Sequence, residues 1–384
     1  MLVLRQYSKQ IFIVAALSVI VFLNAWNKNS AYEIFISLPY FLFLYFLMFA
    51  VGDSRIVDLW RKKIDYNFAR ALIFPAIIIF LLYSYILLTG ANPFTETIFL
   101  LPSLLLIPTL VYIHPQARSE KVNWLDFTTV IFYLLPLTFI SFPVKTDLPI
   151  GGGGLDSIYR IAMMLCIVYG VVILRNLKDV GFEFIFKWQY LLTAVFSWMV
   201  FYIIIIILGF ATSTIGFGDR EALTFSALFA ILSTLFNTAI FEELFFRGLI
   251  QNLFQKKIHQ AGNWKKFWIY GAITMIIISL WAGYSLKGGF QWFIAFMTVF
   301  IFILAYYLEK RMKHPVGTYT ALAITSTIFG VVHYHSGMII YIGLASLAGW
   351  FYGYTYIKTK NVFYAALVHA LVNSVKGLIG LHFL

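Results

Sequence analysis

The sequence is poor in charged side chains and almost free of cysteine. Only 11% of its 384 residues are Asp, Glu, Lys or Arg, whereas a soluble globular protein contains about 25%. The one cysteine, Cys166, lies in an apolar segment, which excludes an intrachain disulfide, a thiol-based metal cluster and a thiol redox pair. Because 61% of the residues are hydrophobic and 19% are aromatic, the composition predicts a polytopic membrane protein.

Apolar stretches of about 17 to 25 residues predict about thirteen transmembrane helices, and hence an all-α, polytopic helical bundle. The first stretch follows a basic start and has no small-x-small cleavage site after it, so we expect it to be retained as a helix. The predicted spans are residues 10–26, 34–51, 71–89, 97–113, 126–142, 157–174, 187–210, 223–254, 267–283, 290–307, 318–335, 338–357 and 361–381.

The formal net charge of +12 is explained by its distribution along the chain rather than by a nucleic-acid partner. Lys and Arg concentrate in alternate segments between the predicted spans, beginning with the N-terminal one. By the positive-inside rule, this alternation predicts a cytoplasmic N-terminus. The Ile and Phe richness together with this pattern favours a bacterial inner membrane.

The residues that could take part in catalysis or binding are unevenly distributed along the chain. The first six predicted spans carry almost no charge apart from Arg160, and every candidate site residue lies beyond residue 220. We therefore predict an N-terminal transmembrane region of unknown role over residues 1–176 and a second domain over residues 177–384.

Three ionisable side chains, Glu242, Glu243 and Arg247, lie within the apolar stretch FNTAIFEELFFRGLI. One charged residue at the centre of a spanning helix costs about 2.5 to 3.5 kcal/mol, so such a cluster indicates function. Glu243 and Arg247 have the i,i+4 spacing of an ion pair. Glu242 points elsewhere, and a desolvated, unpaired carboxylate suits a general base. A structural ion pair and a proton relay are the alternatives for this cluster.

Two further pairs of residues lie near the same predicted depth. Phe329 and His333 are four apart in FGVVH, and His369 and Asn373 are four apart in HALVN, so each pair shares a helix face. His and Asn both donate hydrogen bonds, as an oxyanion site in a dry environment requires. Taken singly, each is more often a hydrogen-bonding group between helices; His335 is expected at the membrane interface.

The motifs EELFFR, FGVVH and HALVN occur in this order on separate predicted helices. They resemble EExxxR, FxxxH and HxxxN of the CPBP family of intramembrane glutamic proteases, also called the CAAX protease and bacteriocin-processing or Abi family. The glycine-rich segment before the last motif, GLASLAGWFYGYTYIKTKNVFYAALVHALVN, resembles the last two core helices of that family. The resemblance covers residues 177–384, with an inserted helix pair near 267–307.

The resemblance implies a glutamate-dependent endopeptidase without a cofactor or metal. Glu242, helped by His333, would activate a water molecule, and His369 and Asn373 would stabilise the oxyanion. Glu243 and Arg247 would hold the site together. The implied partners are a peptide or membrane-protein substrate and the lipid bilayer.

Three other interpretations are compatible with the same residues. Glu242, His333 and His369 are a possible two-His, one-carboxylate zinc site, although no HExxH or HxxEH pairing is present. A non-catalytic scaffold or immunity protein would bind a peptide in the same cavity. A proton-coupled transporter is the third, although the two halves of the chain show no repeat.

Overall fold

A computed structural model gives the fold of residues 2–26, 30–88, 106, 109–114, 117, 119, 121–139, 154–211, 215–217, 225–374 and 381–383. The predicted all-α class is confirmed, since the strands among these residues are two paired three-residue segments, β1 (Ile215–Phe217) and β2 (Leu381–Phe383). The α-helices are α1 (Leu2–Trp26), α2 (Ala31–Val51), α3 (Ser54–Ile64), α4 (Phe68–Leu88), α5 (Trp124–Phe139), α6 (Gly154–Val168), α7 (Trp188–Ala211), α8 (Phe225–Thr234), α9 (Ile240–Glu243), α10 (Asn252–Ala261), α11 (Trp264–Ser285), α12 (Phe293–Arg311), α13 (Thr318–Val332), α14 (Ile339–Thr359) and α15 (Val362–Asn373).

The multi-pass membrane character is confirmed, but the predicted number of thirteen spans is not. Five helices of the described residues are long and apolar enough to cross a bilayer: α2, α4, residues 188–210 of α7, α11 and α12. Three shorter apolar helical segments are Tyr7–Val19, Tyr159–Leu174 and Val362–Asn373. The predicted span 97–113 lies largely outside the described residues.

The chain divides into two compact units. The first unit contains residues 1–184 and 232–241, and in it both α2 and α4 pack against α6. A buried ion pair, Arg175 Nε to Asp126 Oδ1 at 2.7 Å, joins the end of the π-helical turn after α6 to the first turn of α5. The other carboxylate oxygen of Asp126 accepts from Arg175 Nη2 at 3.1 Å, so this pair is saturated internally and has a structural role.

The second unit contains residues 185–231 and 242–384 and is built around the contact between α13 and α14. A Cβ atom at Gly330 of α13 would clash with Ser346 Oγ of α14, so the glycine is needed for this approach. The close contact places the C-terminal end of α13, which carries Phe329 and is followed by His333, against α14.

The three predicted helices that carry the candidate motifs differ from those of the structure. The helix expected over 223–254 is interrupted by two π-helical segments, Leu235–Ala239 and Leu244–Gln251. The helix expected over 318–335 ends at Val332, and a 3-10 turn, His333–Ser336, follows it and ends at Gly337 with a positive φ of 70°. The helix expected over 361–381 ends at Asn373, with Ser374 as its C-cap.

The segment in which the sequence predicts an inserted helix pair, near 267–307, contains α11 and α12. Asn263 caps the start of α11 by accepting from the Lys266 amide at 3.2 Å. The two helices are joined by a hydroxyl hydrogen bond of 2.7 Å between Ser279 and Thr298. Buried side chains of both helices form one core cluster with residues of α13 and α14: Ala272, Met275, Ile301, Phe302, Ala305, Tyr319, Leu322, Ala323, Ile324, Trp350 and Ile357.

Candidate active site

A chain of three buried ionisable side chains connects two distant parts of the second unit. Glu243, the last residue of α9, accepts from Arg247 Nε at 2.8 Å through one carboxylate oxygen. Its other oxygen lies 3.0 Å from Nδ1 of His369 on α15. Glu243 and Arg247 are fully buried, and His369 is 2% exposed. The i,i+4 ion pair predicted between Glu243 and Arg247 is therefore present, and both oxygens of Glu243 are occupied.

The neighbouring carboxylate, Glu242, has a different environment. Its side chain is 28% exposed, and its Oε2 lies 4.0 Å from Nε2 of His369. This distance is too long for a direct hydrogen bond. His369 thus faces Glu243 with one ring nitrogen and Glu242 with the other. The fold therefore places two adjacent glutamates in different environments. Both carboxylate oxygens of Glu243 have a partner, whereas the Glu242 carboxylate is partly exposed.

His333 begins the 3-10 turn directly after α13. Its Nδ1 lies 2.8 Å from the carbonyl oxygen of Phe329 in the preceding turn of the helix. A carbonyl oxygen only accepts, so Nδ1 carries the proton, and Nε2 of the neutral ring is left as an acceptor. The Phe329 ring connects His333 to His369, since it lies 4.8 Å from the first ring and 5.6 Å from the second. The structure therefore brings Glu242, His333 and His369 into one region.

His335, which the sequence predicts to be an interfacial residue, lies in the 3-10 turn that begins at His333. Its ring is exposed, but it lies 6.0 Å from the His333 ring with an interplanar angle of 27°. Its Nδ1 is 3.0 Å from the carbonyl oxygen of Val332. His335 therefore borders the site from the exposed side of the 3-10 turn.

Aromatic rings fill the space between the three motifs. The Phe329 ring lies 4.8 Å from the His333 ring and 5.6 Å from the His369 ring. Tyr352 of α14 stacks on His369, with ring centroids 4.7 Å apart and an angle of 11°. Sequence reasoning missed Tyr352, because nothing distinguishes it among the 24 tyrosines of the chain except its position within the glycine-rich helix.

Asn373 lies at the C-terminal end of α15, one turn beyond His369. Its side chain is exposed. Among the described residues, no hydrogen bond joins it to His369 or to either glutamate. The helix geometry places Asn373 and His369 on one face, but Asn373 is more open to its surroundings than the other site residues.

Two glycines of α14 make room for the Arg247 guanidinium. A Cβ atom at Gly349 would lie 3.3 Å from Arg247 Nη2, and one at Gly353 would lie 3.3 Å from Nη1. The guanidinium carbon is also 5.4 Å from the centroid of the Phe329 ring, a cation–π distance. Among the described residues, Nη1 and Nη2 have no hydrogen-bond partner, so Glu243 is the only residue with a hydrogen bond to the Arg247 side chain.

Gly353→Ala is expected to lower the free energy of unfolding by about 1 to 3 kcal/mol, the usual cost of overpacking. The added methyl group would clash with Leu322 Cδ1 and would lie 2.5 Å from Gln251 Oε1. Gly289→Ala is the matched control, since a Cβ atom there meets nothing within 4 Å. Thermal unfolding of the detergent-solubilised variants measures the difference, and equal midpoints would contradict the close approach of α14.

The described residues contain no group of three or more His, Cys, Asp or Glu side chains arranged to hold a metal ion. In the zinc interpretation, Glu242, His333 and His369 would have to converge on one point. Nδ1 of His369 faces Glu243, and its Nε2 is 4.0 Å from Glu242. Because a metal-ligating histidine also donates its other ring N–H to a carboxylate, these contacts fit both the zinc interpretation and a metal-free hydrogen-bonded network.

The candidate residues lie in segments of the chain that match the model of one known protein family. The model of a family described as type II CAAX prenyl endopeptidase, Rce1-like, matches residues 224–318 and 306–375. The matched residues include all three motifs. No curated protein and no solved structure matches the chain significantly.

Proposed function

We propose that the C-terminal half of the chain, in which the Rce1-like family model matches, is a glutamate-dependent intramembrane endopeptidase of the CAAX protease family. It would hydrolyse a peptide bond in a membrane-embedded, hydrophobic or lipidated peptide or protein tail. The observation that carries this proposal is the different environment of two adjacent carboxylates. Glu243 is buried, and each of its carboxylate oxygens has a hydrogen-bond partner, whereas Glu242 is 28% exposed and lies 4.0 Å from His369 Nε2.

Glu242 is the general base of the proposed reaction. A water molecule held by the Glu242 carboxylate and by Nε2 of His333 would have both protons engaged by acceptors, which leaves an oxygen lone pair for the substrate carbonyl. His333 suits this position because its Nδ1 is already bonded to the Phe329 carbonyl, 2.8 Å away. As the oxygen–carbon bond forms, one water proton passes to Glu242.

His369 and Asn373 are the proposed oxyanion donors. The attack converts the carbonyl oxygen into an oxyanion, which preorganised donors in a site with little water stabilise strongly. Because His369 Nδ1 faces Glu243, its Nε2 donates only when the ring is doubly protonated, and the two neighbouring carboxylates compensate that charge. The Asn373 amide donates without any change in charge.

Collapse of the tetrahedral intermediate completes the reaction. The carbon–nitrogen bond breaks, Glu242 returns its proton to the departing amine, and the carboxylic acid product keeps the water oxygen with its remaining proton. Glu243 and Arg247 undergo no chemical change in this scheme. Their role is to hold His369 in place through the 3.0 Å contact to Nδ1.

The direct test is a comparison of protein termini in two membrane preparations. One contains the wild-type protein and the other contains Glu242→Gln. We expect new termini only with the wild-type protein, within hydrophobic or lipidated segments. Identical sets of termini would contradict a peptidase function, and the cleaved sequences would identify the substrate class.

Treatment with a strong metal chelator is expected to leave the activity within about twofold of the untreated enzyme, because the proposed base and oxyanion donors are all side chains. An internally quenched prenylated peptide ending in a CAAX sequence is the probe. A zinc-dependent peptidase that has been washed in the same chelator serves as the control for effective metal removal. Loss of activity in chelator and its recovery on adding zinc would favour the zinc mechanism.

We further propose that the chain resides in a bacterial inner membrane with its N-terminus in the cytoplasm. The amphipathic helix α3 supports this orientation, since its last turn carries Arg61, Lys62 and Lys63. Basic residues flanking membrane spans remain on the cytoplasmic side. Labelling of cysteines introduced at Lys62 and at Lys287, with a reagent that does not cross membranes, tests it: only the latter should react from outside.

A further inference from the structure

The inserted helix pair, α11 and α12, contacts α13 at both of its ends. This pair lies in the chain between Glu242 and His333, the proposed base and the histidine that assists it. His333 follows the last residue of α13. The position of α13 and of the turn that follows it therefore decides where the His333 ring lies.

At the start of α13, a side chain from α12 replaces the missing cap. The N-cap residue is Gly317, with a φ of 88°, and it has no side chain to accept from the helix amides. The Glu309 carboxylate accepts from the backbone amides of Gly317 at 2.6 Å, Tyr319 at 2.7 Å and Thr320 at 3.0 Å. A carboxylate at this place also complements the positive end of the helix dipole.

At the other end of α13, Tyr334 is held by α11. Its ring stacks on Trp281, with centroids 5.6 Å apart and an angle of 20°. Its hydroxyl lies 3.0 Å from that of Ser285, whose oxygen is also 3.0 Å from the carbonyl of Ala282. With the Ser285 proton on that carbonyl, the Tyr334 hydroxyl donates to Ser285.

The Tyr334 ring also packs against a buried cluster shared by α11, α12 and α14. The members of this cluster are Ala282, Ile294, Ile339 and Ile342. Tyr334 is thus fixed by stacking on Trp281, by the hydrogen bond with Ser285 and by packing against this apolar cluster. It is the residue next to His333 in the chain, so its position and that of His333 are coupled through one peptide unit.

The His333 ring itself contacts the rings of Phe329, His335 and Tyr341, at centroid distances of 4.8, 6.0 and 5.7 Å. Its one hydrogen bond among the described residues is to the Phe329 carbonyl of the same segment, and the turn that it begins ends at Gly337. We propose that α11 and α12 form a positioning clamp for His333, with Glu309 holding the start of α13 and Trp281 and Ser285 holding Tyr334. This inference rests on the proposed function, in which His333 orients the attacking water.

The clamp predicts that Tyr334→Ala lowers kcat by about 10- to 100-fold and leaves KM within about twofold. A displaced catalytic group slows the chemical step, and losses of this size follow shifts of about 1 Å. Tyr334→Phe keeps the stacked ring and is expected to stay within about threefold of the wild type. Tyr284→Ala, at an exposed neighbour on α11, is the matched control and should have no effect. The probe is the internally quenched prenylated CAAX peptide.

Hydrogen exchange measures the clamp without any reference to activity. In Tyr334→Ala, the amides of residues 333–338 should exchange faster than in the wild type and in Tyr284→Ala. In Glu309→Gln, the amides of Gly317, Tyr319 and Thr320 should exchange faster, because the charged acceptor is lost. Unchanged exchange in both variants would overturn the clamp.

Failure of the clamp and failure of the proposed function give different results. If Tyr334→Ala has the wild-type kcat while Glu242→Gln is inactive, the peptidase stands and the clamp is wrong. If Glu242→Gln is fully active, the proposed function is wrong, and hydrogen exchange alone decides whether the clamp exists. Should Tyr334→Ala not fold, Trp281→Leu removes the stack from an exposed face and is expected to lower kcat by about three- to tenfold. An unchanged kcat there, with unchanged exchange, would equally overturn the proposal.

Discussion

Glu242→Gln is expected to abolish peptide-bond hydrolysis while leaving the amount of folded protein unchanged. The amide keeps the size of the side chain and removes its capacity to take a proton, and a positioned general base contributes about 10²- to 10⁴-fold to the rate. The Glu242 side chain is 28% exposed, and its one ion-pair contact within the part of the chain that the structure describes is the 4.0 Å approach to His369 Nε2, so its neutralisation should leave the fold intact. Cleavage of the prenylated probe and the yield of monodisperse protein in detergent measure the two quantities.

Glu243→Gln is the matched control, because it makes the same chemical change at the next residue. Glu243 is fully buried and contacts Arg247 at 2.8 Å and His369 at 3.0 Å. Its substitution should therefore lower the folded yield, which Glu242→Gln should not. A Glu242→Gln protein that still cleaves the probe would contradict the proposed mechanism. If even the wild-type protein produces no new termini, the result would favour a peptide-binding scaffold.

Local spacing explains why part of the site follows from the sequence. Glu243 and Arg247 are four residues apart, and an i,i+4 pair meets on a helix whatever the rest of the fold does. The structure has this ion pair even though Arg247 lies in a π-helical segment. The same local geometry places Phe329 beside His333, whose Nδ1 bonds to the Phe329 carbonyl.

Contacts between distant segments did not follow from the sequence. The hydrogen bond of His369 to Glu243 spans 126 residues and depends on how α15 packs in the second unit. Sequence reasoning assigned His369 to the oxyanion and left Glu243 to Arg247 alone. The ring of Tyr352 on His369 was missed for the same reason, because stacking partners in a helical bundle are chosen by tertiary packing.

Helix ends were the least predictable part of the fold. Hydropathy measures how apolar a segment is, but it carries no information on which backbone groups are hydrogen-bonded to each other. It therefore could not predict that α13 gives way to a 3-10 turn after Val332, or that the helix carrying Glu243 contains two π-helical segments. The thirteen spans predicted from apolar stretches are not confirmed by the described helices, of which five are long and apolar enough to cross a membrane.

Arg247→Ala is expected to destabilise the fold more than any other single change at the site. Removing one partner of a buried ion pair costs about 3 to 5 kcal/mol, because the remaining charge stays buried without compensation. Glu243 is fully buried, and its remaining contact is the one to His369. The loss of the guanidinium also removes the cation–π contact to Phe329 at 5.4 Å. The folded yield in detergent and the thermal midpoint are the measurements.

Two further variants separate the loss of the pair from the loss of the side chain. Arg311→Ala, at the exposed end of α12, removes an arginine whose guanidinium lies 4.2 Å from the Tyr307 ring, and it should cost less than about 1 kcal/mol. The double variant Glu243→Gln with Arg247→Met removes both charges and fills the space, so it should recover much of the yield that Arg247→Ala loses. If the double variant is no more stable than Arg247→Ala, the cost arises from lost packing around Gly349 and Gly353 rather than from an unpaired carboxylate, and the buried ion pair is not what holds His369 in place.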